Sequence, residues 1–173
     1  MKNQILLFSV ISILFFSCTK DDFTWRIRKR PCVLNFTYGN DGYYISKVDF
    51  AGITVNSEGN PYHEYYRKKT AKIKRGETLD LNLGYNLADQ NNSVSVYFDW
   101  NRDGDFYDQD EAVWKSFNIL NNSTSIPIIV PGFAKTGYSS MRVMVRGYSN
   151  YNVEDPCVDI NNGEAEDYQI EIY

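Results

Sequence analysis

The sequence predicts an all-β protein, a single antiparallel β-sandwich of jelly-roll or immunoglobulin-like type, on three observations. Apolar residues alternate with polar ones at period two. Leu79, Leu81 and Leu83 flank Asp80 and Asn82, and Val94, Val96 and Phe98 flank Ser95 and Tyr97. Val143 and Val145 sit among Arg142, Met144 and Arg146, and Tyr168, Ile170 and Ile172 among Gln169 and Glu171. That period places one set of side chains on one face of a pleated strand, so each segment reads as a strand with one buried face. Turn residues separate the segments, at Gly39-Asn40-Asp41-Gly42, Glu58-Gly59-Asn60-Pro61, Arg75-Gly76-Glu77, Asn121-Asn122 and Pro131-Gly132, where glycine, asparagine and proline supply tight-turn backbone conformations. Finally, no run of a dozen residues carries a helical period.

In chain order, residues 1–17 read as a secretory signal: Lys2 precedes an apolar run from Ile5 to Phe16, followed by Ser17 and Cys18. The run is shorter than the roughly 20 residues a membrane-spanning helix needs. Leu14-Phe15-Phe16-Ser17-Cys18 resembles the lipobox of bacterial lipoproteins, in which cleavage leaves the cysteine as a lipidated first residue. Lys20-Asp21-Asp22 is similar to the acidic export tag of Bacteroidota lipoproteins. Together they imply an outer-membrane protein, lipid-anchored at Cys18 and exposed on the cell surface, that meets the membrane only through its anchor. Residues 18–31 are polar, basic and aperiodic, and read as a tether. The domain is expected over residues 32–173; the 173-residue chain is one domain's worth, and 43% of its residues are hydrophobic, enough to build a core. Its further strands are expected at Val33 to Tyr38, Tyr43 to Ile53, His63 to Lys74, Ala112 to Phe117 and Thr124 to Val130. With Cys18 lipidated, Cys32 and Cys157 are the remaining thiols, and an exported chain most simply pairs them, tying the start of the domain to its end.

The densest chemistry lies between two strands. Asp99-Trp100-Asn101-Arg102-Asp103-Gly104-Asp105-Phe106-Tyr107-Asp108-Gln109-Asp110-Glu111 holds six carboxylates and two side-chain amides in thirteen residues. Such crowding is costly without a cation to offset it. Counting Asp99 as the first position, Asn101, Asp103 and Asp105 fall at three, five and seven, Gly104 at six and Asp110 at twelve, the order of a calcium loop. Phe106 at position eight is expected to anchor the loop to the core. The loop departs from an EF-hand in having Asp110 at twelve, with Glu111 one place later, and in following a strand. Asp108 or Glu111 is therefore a candidate to close the shell. The candidate calcium ligands are Asp99, Asn101, Asp103, Asp105, Asp108, Asp110 and Glu111, with affinity expected at about 0.1 to 1 mM, as in extracellular modules; the alternative is an acidic loop held only by aspartate side chains capping backbone amides.

Near the end stands Gly163-Glu164-Ala165-Glu166-Asp167-Tyr168. With the acidic loop, Tyr44 to Val48, Arg142 to Arg146, Cys32 and Cys157, it resembles the GEVED domain of secreted and surface proteins of Bacteroidota and other bacteria. The resemblance runs from about Cys32 to Tyr173, with Ala165 in place of the family's valine. It implies a β-sandwich often appended to proteases or adhesins, without established catalytic activity. In the motif, Glu164, Glu166 and Tyr168 share one strand face, Ala165 and Asp167 the other. Either Glu164 or Asp167 adds to a calcium site, or Glu166 or Asp167 pairs with Arg142 or Arg146 on a neighbouring strand.

Function classes narrow accordingly. A net charge of −4 argues against nucleic acid as a partner. His63 is the only histidine, which excludes histidine-based zinc sites and leaves no nucleophile elbow beside it; it reads as a surface residue on a strand. Tyr62, Tyr65, Tyr66, Tyr148 and Tyr151 are candidates for a surface that stacks on sugars or grips a protein. The expected function is non-catalytic adhesion or recognition of a protein or glycan. The alternative is a secreted hydrolase, or an accessory subunit of a surface protease or glycan-degrading system.

Overall fold

A computed structural model describes residues 31–60, 63–147 and 154–173. The signal segment, Cys18, the tether up to Arg30, and Tyr62, Tyr148 and Tyr151 lie outside the described residues. Nine strands follow: β1 (Tyr44–Phe50), β2 (Ile53–Asn56), β3 (His63–Ile73), β4 (Thr78–Asn86), β5 (Asn92–Phe98), β6 (Ala112–Phe117), β7 (Ser123–Ile129), β8 (Gly137–Gly147) and β9 (Asn162–Ile172). No helix occurs among the described residues. The strands form two sheets, β2-β1-β4-β7 and β3-β9-β8-β5-β6. Every pairing is antiparallel except β3 with β9, so the last strand is inserted between its hairpin-like neighbour β8 and the distant β3.

The period-two residues meet between the sheets. Ile45, Val48, Phe50, Leu81, Leu83 and Ile128 from one sheet pack with Val94, Val96, Phe98, Val143, Ile170 and Ile172 from the other. Phe98 stacks on Trp100 with ring centres 4.5 Å apart and meets Phe50 edge-on at 5.7 Å. Two expectations change at the edges. The strand expected from Tyr43 to Ile53 is broken into β1 and β2 by Ala51 and Gly52, both at positive φ (44° and 86°). That pair of conformations makes a two-residue hairpin turn whose twist matches the flanking strands; alanine at its first place hides the usual Asn-Gly signal. The segment Val33 to Tyr38, expected as a strand, joins no sheet: its ladder contact is the single bridge Phe36–Ile160, with flanking backbone bonds to Ile160 and Asn161.

A further difference follows from that segment. The expectation of one buried face holds for β4 and β7, but β5, β8 and β9 are buried on both faces. On the outer face of the five-stranded sheet, Tyr97, Met144 and Ala165 pack under Leu34, Phe106 and Ile160 as a second apolar cluster. The 32–36 segment, the acidic loop and the stretch before β9 thus act as a cover. The Cys32–Cys157 disulfide, with Cα atoms 5.6 Å apart, joins two parts of that cover. Closing so long a loop removes entropy from the unfolded chain worth about 4–5 kcal/mol.

Candidate metal centre

The acidic loop links β5 to β6 and is built by its own carboxylates. Asp99, fully buried, accepts the backbone N–H groups of Asp103 (3.1 Å) and Gly104 (3.2 Å). The Asn101, Asp103 and Asp105 side chains then each accept the N–H two residues on, at 2.8, 3.2 and 3.0 Å. These successive side-chain-to-backbone turns wind the chain into a coil that points acids toward one spot. Gly104 takes φ 90°, a conformation that favours glycine at this place. Phe106, 2% exposed, drives into the outer cluster, 5.9 Å from the Tyr97 ring and 5.0 Å from the Arg142 guanidinium, as its position predicts.

The seven predicted ligands divide into three groups. Carboxylate oxygens of Asp103, Asp105 and Asp108 converge within 4.8 Å of one another, and the Asn101 amide nitrogen donates to Asp103 (2.9 Å) and Asp108. That N–H₂ group supplies a partial positive charge across two acids, where a cation would do so more fully. Asp99 and Glu111 instead hold the loop's ends. Glu111, 1% exposed, accepts the N–H groups of Trp100 (2.8 Å) and Asn101 (3.3 Å) through Oε1, while its Oε2 is buried without a hydrogen-bond partner. Burial, reinforced by neighbouring acids, raises the Asp99 carboxyl to about 6 and that of Glu111 to about 7. Asp110 stands apart from the converging acids: it is exposed, at φ 69°, and its carbonyl accepts the Trp100 indole N–H at 3.0 Å. The loop's one basic residue, Arg102, sends its guanidinium to the carbonyls of Thr136 (2.6 Å) and Tyr138 (2.8 Å), and pairs with none of these acids. Oxygen-only donors, crowded carboxylates and an orphaned buried oxygen in the same loop fit a hard divalent cation such as calcium.

Beside the loop opens a cleft of about 280 Å³ whose wall includes Asp108, Tyr107, Lys115 and Asp155. Tyr107 is 61% exposed and donates its hydroxyl to Asp155 at 2.9 Å. By contrast, Tyr65 lies against His63 (4.3 Å between ring centres) and Tyr66 is stacked on Tyr168 (4.9 Å). The exposed flat ring near the acids is therefore Tyr107, a residue hidden in the sequence by its place inside the loop.

Behind the cover, Arg142 and Asp167, both fully buried, face each other across β8 and β9 and form a bidentate pair at 2.7 and 2.8 Å. The predicted cross-strand pairing thus falls to Asp167; Glu164 and Glu166 face the opposite side. His63, read from sequence as a surface residue, is buried here, its side chain 4% exposed and 3.0 Å from Asp167. The parallel pairing of β3 with β9 brings it there. Its Nδ1 accepts the Leu34 N–H at 3.3 Å, which leaves the proton on Nε2 for Asp167. Burial opposes the charge on Asp167, but the Arg142 cation outweighs it and holds the carboxyl below its ordinary range. Arg142 also binds the carbonyls of Cys32 (2.6 Å) and Pro156 (2.7 Å), so the group fastens both sides of the disulfide to the sheet.

The model of the GEVED domain family matches residues 93–171. The match takes in β5 to β9 with the acidic loop, a shorter span than the Cys32 to Tyr173 over which the motifs are spread. No curated protein matches the chain. Among solved structures, a chitin binding domain from Burkholderia pseudomallei aligns with TM-score 0.40 and 11% identity, over 61% of this chain. The aligned part is 57% of that domain, so the chain spans a little over half its length. A Niemann-Pick type C2 protein from the Japanese carpenter ant aligns with TM-score 0.44 and 8% identity, over 78% of this chain and 96% of that one.

Proposed function

We propose, for a chain whose residues 93–171 form a GEVED domain, a non-catalytic recognition module that binds calcium in the Asp99–Glu111 loop. Calcium stiffens one end of the sandwich, and the cleft beside it meets a protein or glycan outside the cell. Lipid on Cys18 holds the module at the outer-membrane surface. The observation that carries this reading is the convergence of carboxylate oxygens of Asp103, Asp105 and Asp108 within 4.8 Å of one another. A cation of charge two offsets the repulsion among these groups, and one cation can touch all three.

Asp108 belongs both to the converging acids and to the cleft wall. A ligand hydroxyl or carboxylate entering the cleft therefore comes within reach of a calcium ion held there, while Tyr107 offers a flat apolar ring with a polar tip, the surface sugars and protein side chains stack on. Extracellular calcium in the millimolar range fills a site of the expected affinity. The test is a glycan and peptide array probed with the purified protein, with calcium and with chelator. The reading expects calcium-dependent binding that Tyr107→Ala and Asp105→Asn each abolish. Binding indifferent to calcium and to both variants contradicts it, and turnover of a glycan or peptide on the array contradicts its non-catalytic part.

A further inference from the structure

A second group of acids lies on the other side of the five-stranded sheet, between the two sheets. Glu64 on β3 pairs directly opposite Glu166 on the parallel β9, and Glu164 lies two residues before it on the same face. Like charges placed opposite on adjacent strands repel. Here carboxylate oxygens of all three come within 4.8 Å of one another, and Glu164 and Glu166 are fully buried. Among the described residues no lysine, arginine or histidine forms an ion pair with any of the three. The buried side chains His63 and Arg142, from β3 and β8 on either side of β9, are held on the outer face by Asp167.

The surroundings are shaped for anions. Glu164 Oε2 accepts the Ile45 N–H at 2.7 Å, an interaction that crosses from β1 of the opposite sheet. Its Oε1 is buried with no hydrogen-bond partner. Tyr66 donates its hydroxyl to Glu64 and lies 3.2 Å from Glu166 Oε1; Tyr168 donates to Glu166, and the Asn60 amide to Glu64. These donors satisfy part of the carboxylates' capacity, yet they supply no full positive charge. An orphaned oxygen on a fully buried carboxylate, beside two more carboxylates, leaves the group short of a cation.

We infer that Glu64, Glu164 and Glu166 bind a divalent metal ion, calcium by the oxygen-only character of the set, as a second site separate from the acidic loop. Two ligands of one calcium ion lie at most about 5 Å apart, since each stands at 2.3–2.6 Å from the metal; the three oxygens meet that limit. Such an ion joins β3 to β9 and, through Glu164 and Ile45, one sheet to the other. It also gives each residue of the Gly163 to Asp167 motif a physical task. A Cβ at Gly163 would fall on the Val145 carbonyl oxygen, so the strand enters there only as glycine. Glu164 and Glu166 hold the ion inward, Ala165 packs in the outer cluster, and Asp167 binds Arg142.

The site does not depend on the loop reading, and its test removes the loop first. The purified full-length protein, in detergent and with Asp103, Asp105 and Asp108 all changed to asparagine, is titrated with terbium, whose emission is excited through tyrosine; Tyr66 and Tyr168 stand against the acids. Emission is expected to rise with terbium and to be displaced by calcium. Glu64→Gln, at the less buried rim, is expected to weaken terbium binding by roughly tenfold or more, because it removes a charged ligand. Glu164→Gln is expected to abolish it. Should Glu164→Gln fail to fold, Glu64→Gln still decides. Absence of terbium emission in the loop-deficient protein, or emission unchanged by Glu64→Gln, overturns the inference.

Discussion

Changing Asp167 to asparagine leaves shape and volume almost unaltered but removes the one charge that balances Arg142. Both side chains are fully buried and share bonds of 2.7 and 2.8 Å. Breaking a buried pair from one side costs about 3–5 kcal/mol, because the remaining charge stays in the interior without compensation. Here the carbonyls of Cys32 and Pro156 still accept from the guanidinium, at 2.6 and 2.7 Å, which places the expected loss near the lower limit, about 3 kcal/mol. The asparagine also turns an N–H₂ group toward either Arg142 or His63, both of which offer donors. For a domain of this size each kcal/mol moves the melting temperature by about 2–4 °C, so the variant should melt roughly 6–12 °C below the parent. Calorimetry at neutral pH with the disulfide intact measures it. The double change of Arg142→Met with Asp167→Leu should recover part of the loss, since an apolar pair of similar bulk carries no desolvation cost. A drop under about 2 °C for Asp167→Asn would show that the pair does not fasten the cover.

Other expectations follow from the same structure. Phe106→Ala empties a site in the outer cluster and should cost about 3 kcal/mol or more in urea unfolding, with calcium affinity falling alongside because the loop loses its anchor; unchanged affinity would separate anchor from site. Reducing the chain, or changing Cys32 and Cys157 to serine, should lower stability by about 4 kcal/mol in the same assay, and a loss under about 1 kcal/mol would contradict the role of the disulfide. In chelator, pH should act through Glu164 and Glu166, which burial raises to about 8 and about 7, together with Glu111, raised to about 7, and Asp99, raised to about 6. Folded values above the unfolded ones mean that these groups favour the native state when protonated. Their contribution is full below the ordinary carboxylate range and is lost as pH rises through about 6 to about 8. The metal-free protein should therefore weaken between pH 6 and 8.5 in urea titrations, whereas calcium should flatten the profile. A metal-free protein that gains stability over that interval would refute the assignment.

How much of this was legible in the sequence depends on whether a residue acts through its neighbours along the chain or across it. The inter-sheet core was readable because Leu81, Leu83, Val94 and Val96 alternate with polar residues at a strand's own period. The loop was readable because its acids lie two apart and wind on their own N–H groups. What escaped was set by long-range pairing. The parallel contact of β3 with β9 places His63 beside Asp167 and Glu64 opposite Glu166, and nothing local in either strand announces it. The outer cover escaped for a similar reason: Leu34 and Ile160 bury Tyr97 and Met144, positions that alternation alone assigns to solvent. Within the loop, spacing located the acids but not their division of labour. Glu111, in the turn just before β6, is buried and accepts the Trp100 N–H, whereas Asp110, counted into the twelfth position, is exposed and outside the converging group.

The most direct test of the calcium loop compares the melting temperature of the purified parent and of Asp105→Asn, each in chelator and in 10 mM calcium. A site of about 0.1 to 1 mM affinity stabilises the folded state by about 1.4–2.7 kcal/mol at that concentration. The parent is therefore expected to gain more from calcium than the variant by about that amount, or roughly 3–10 °C. Equal gains in the two proteins would contradict the loop as a calcium site.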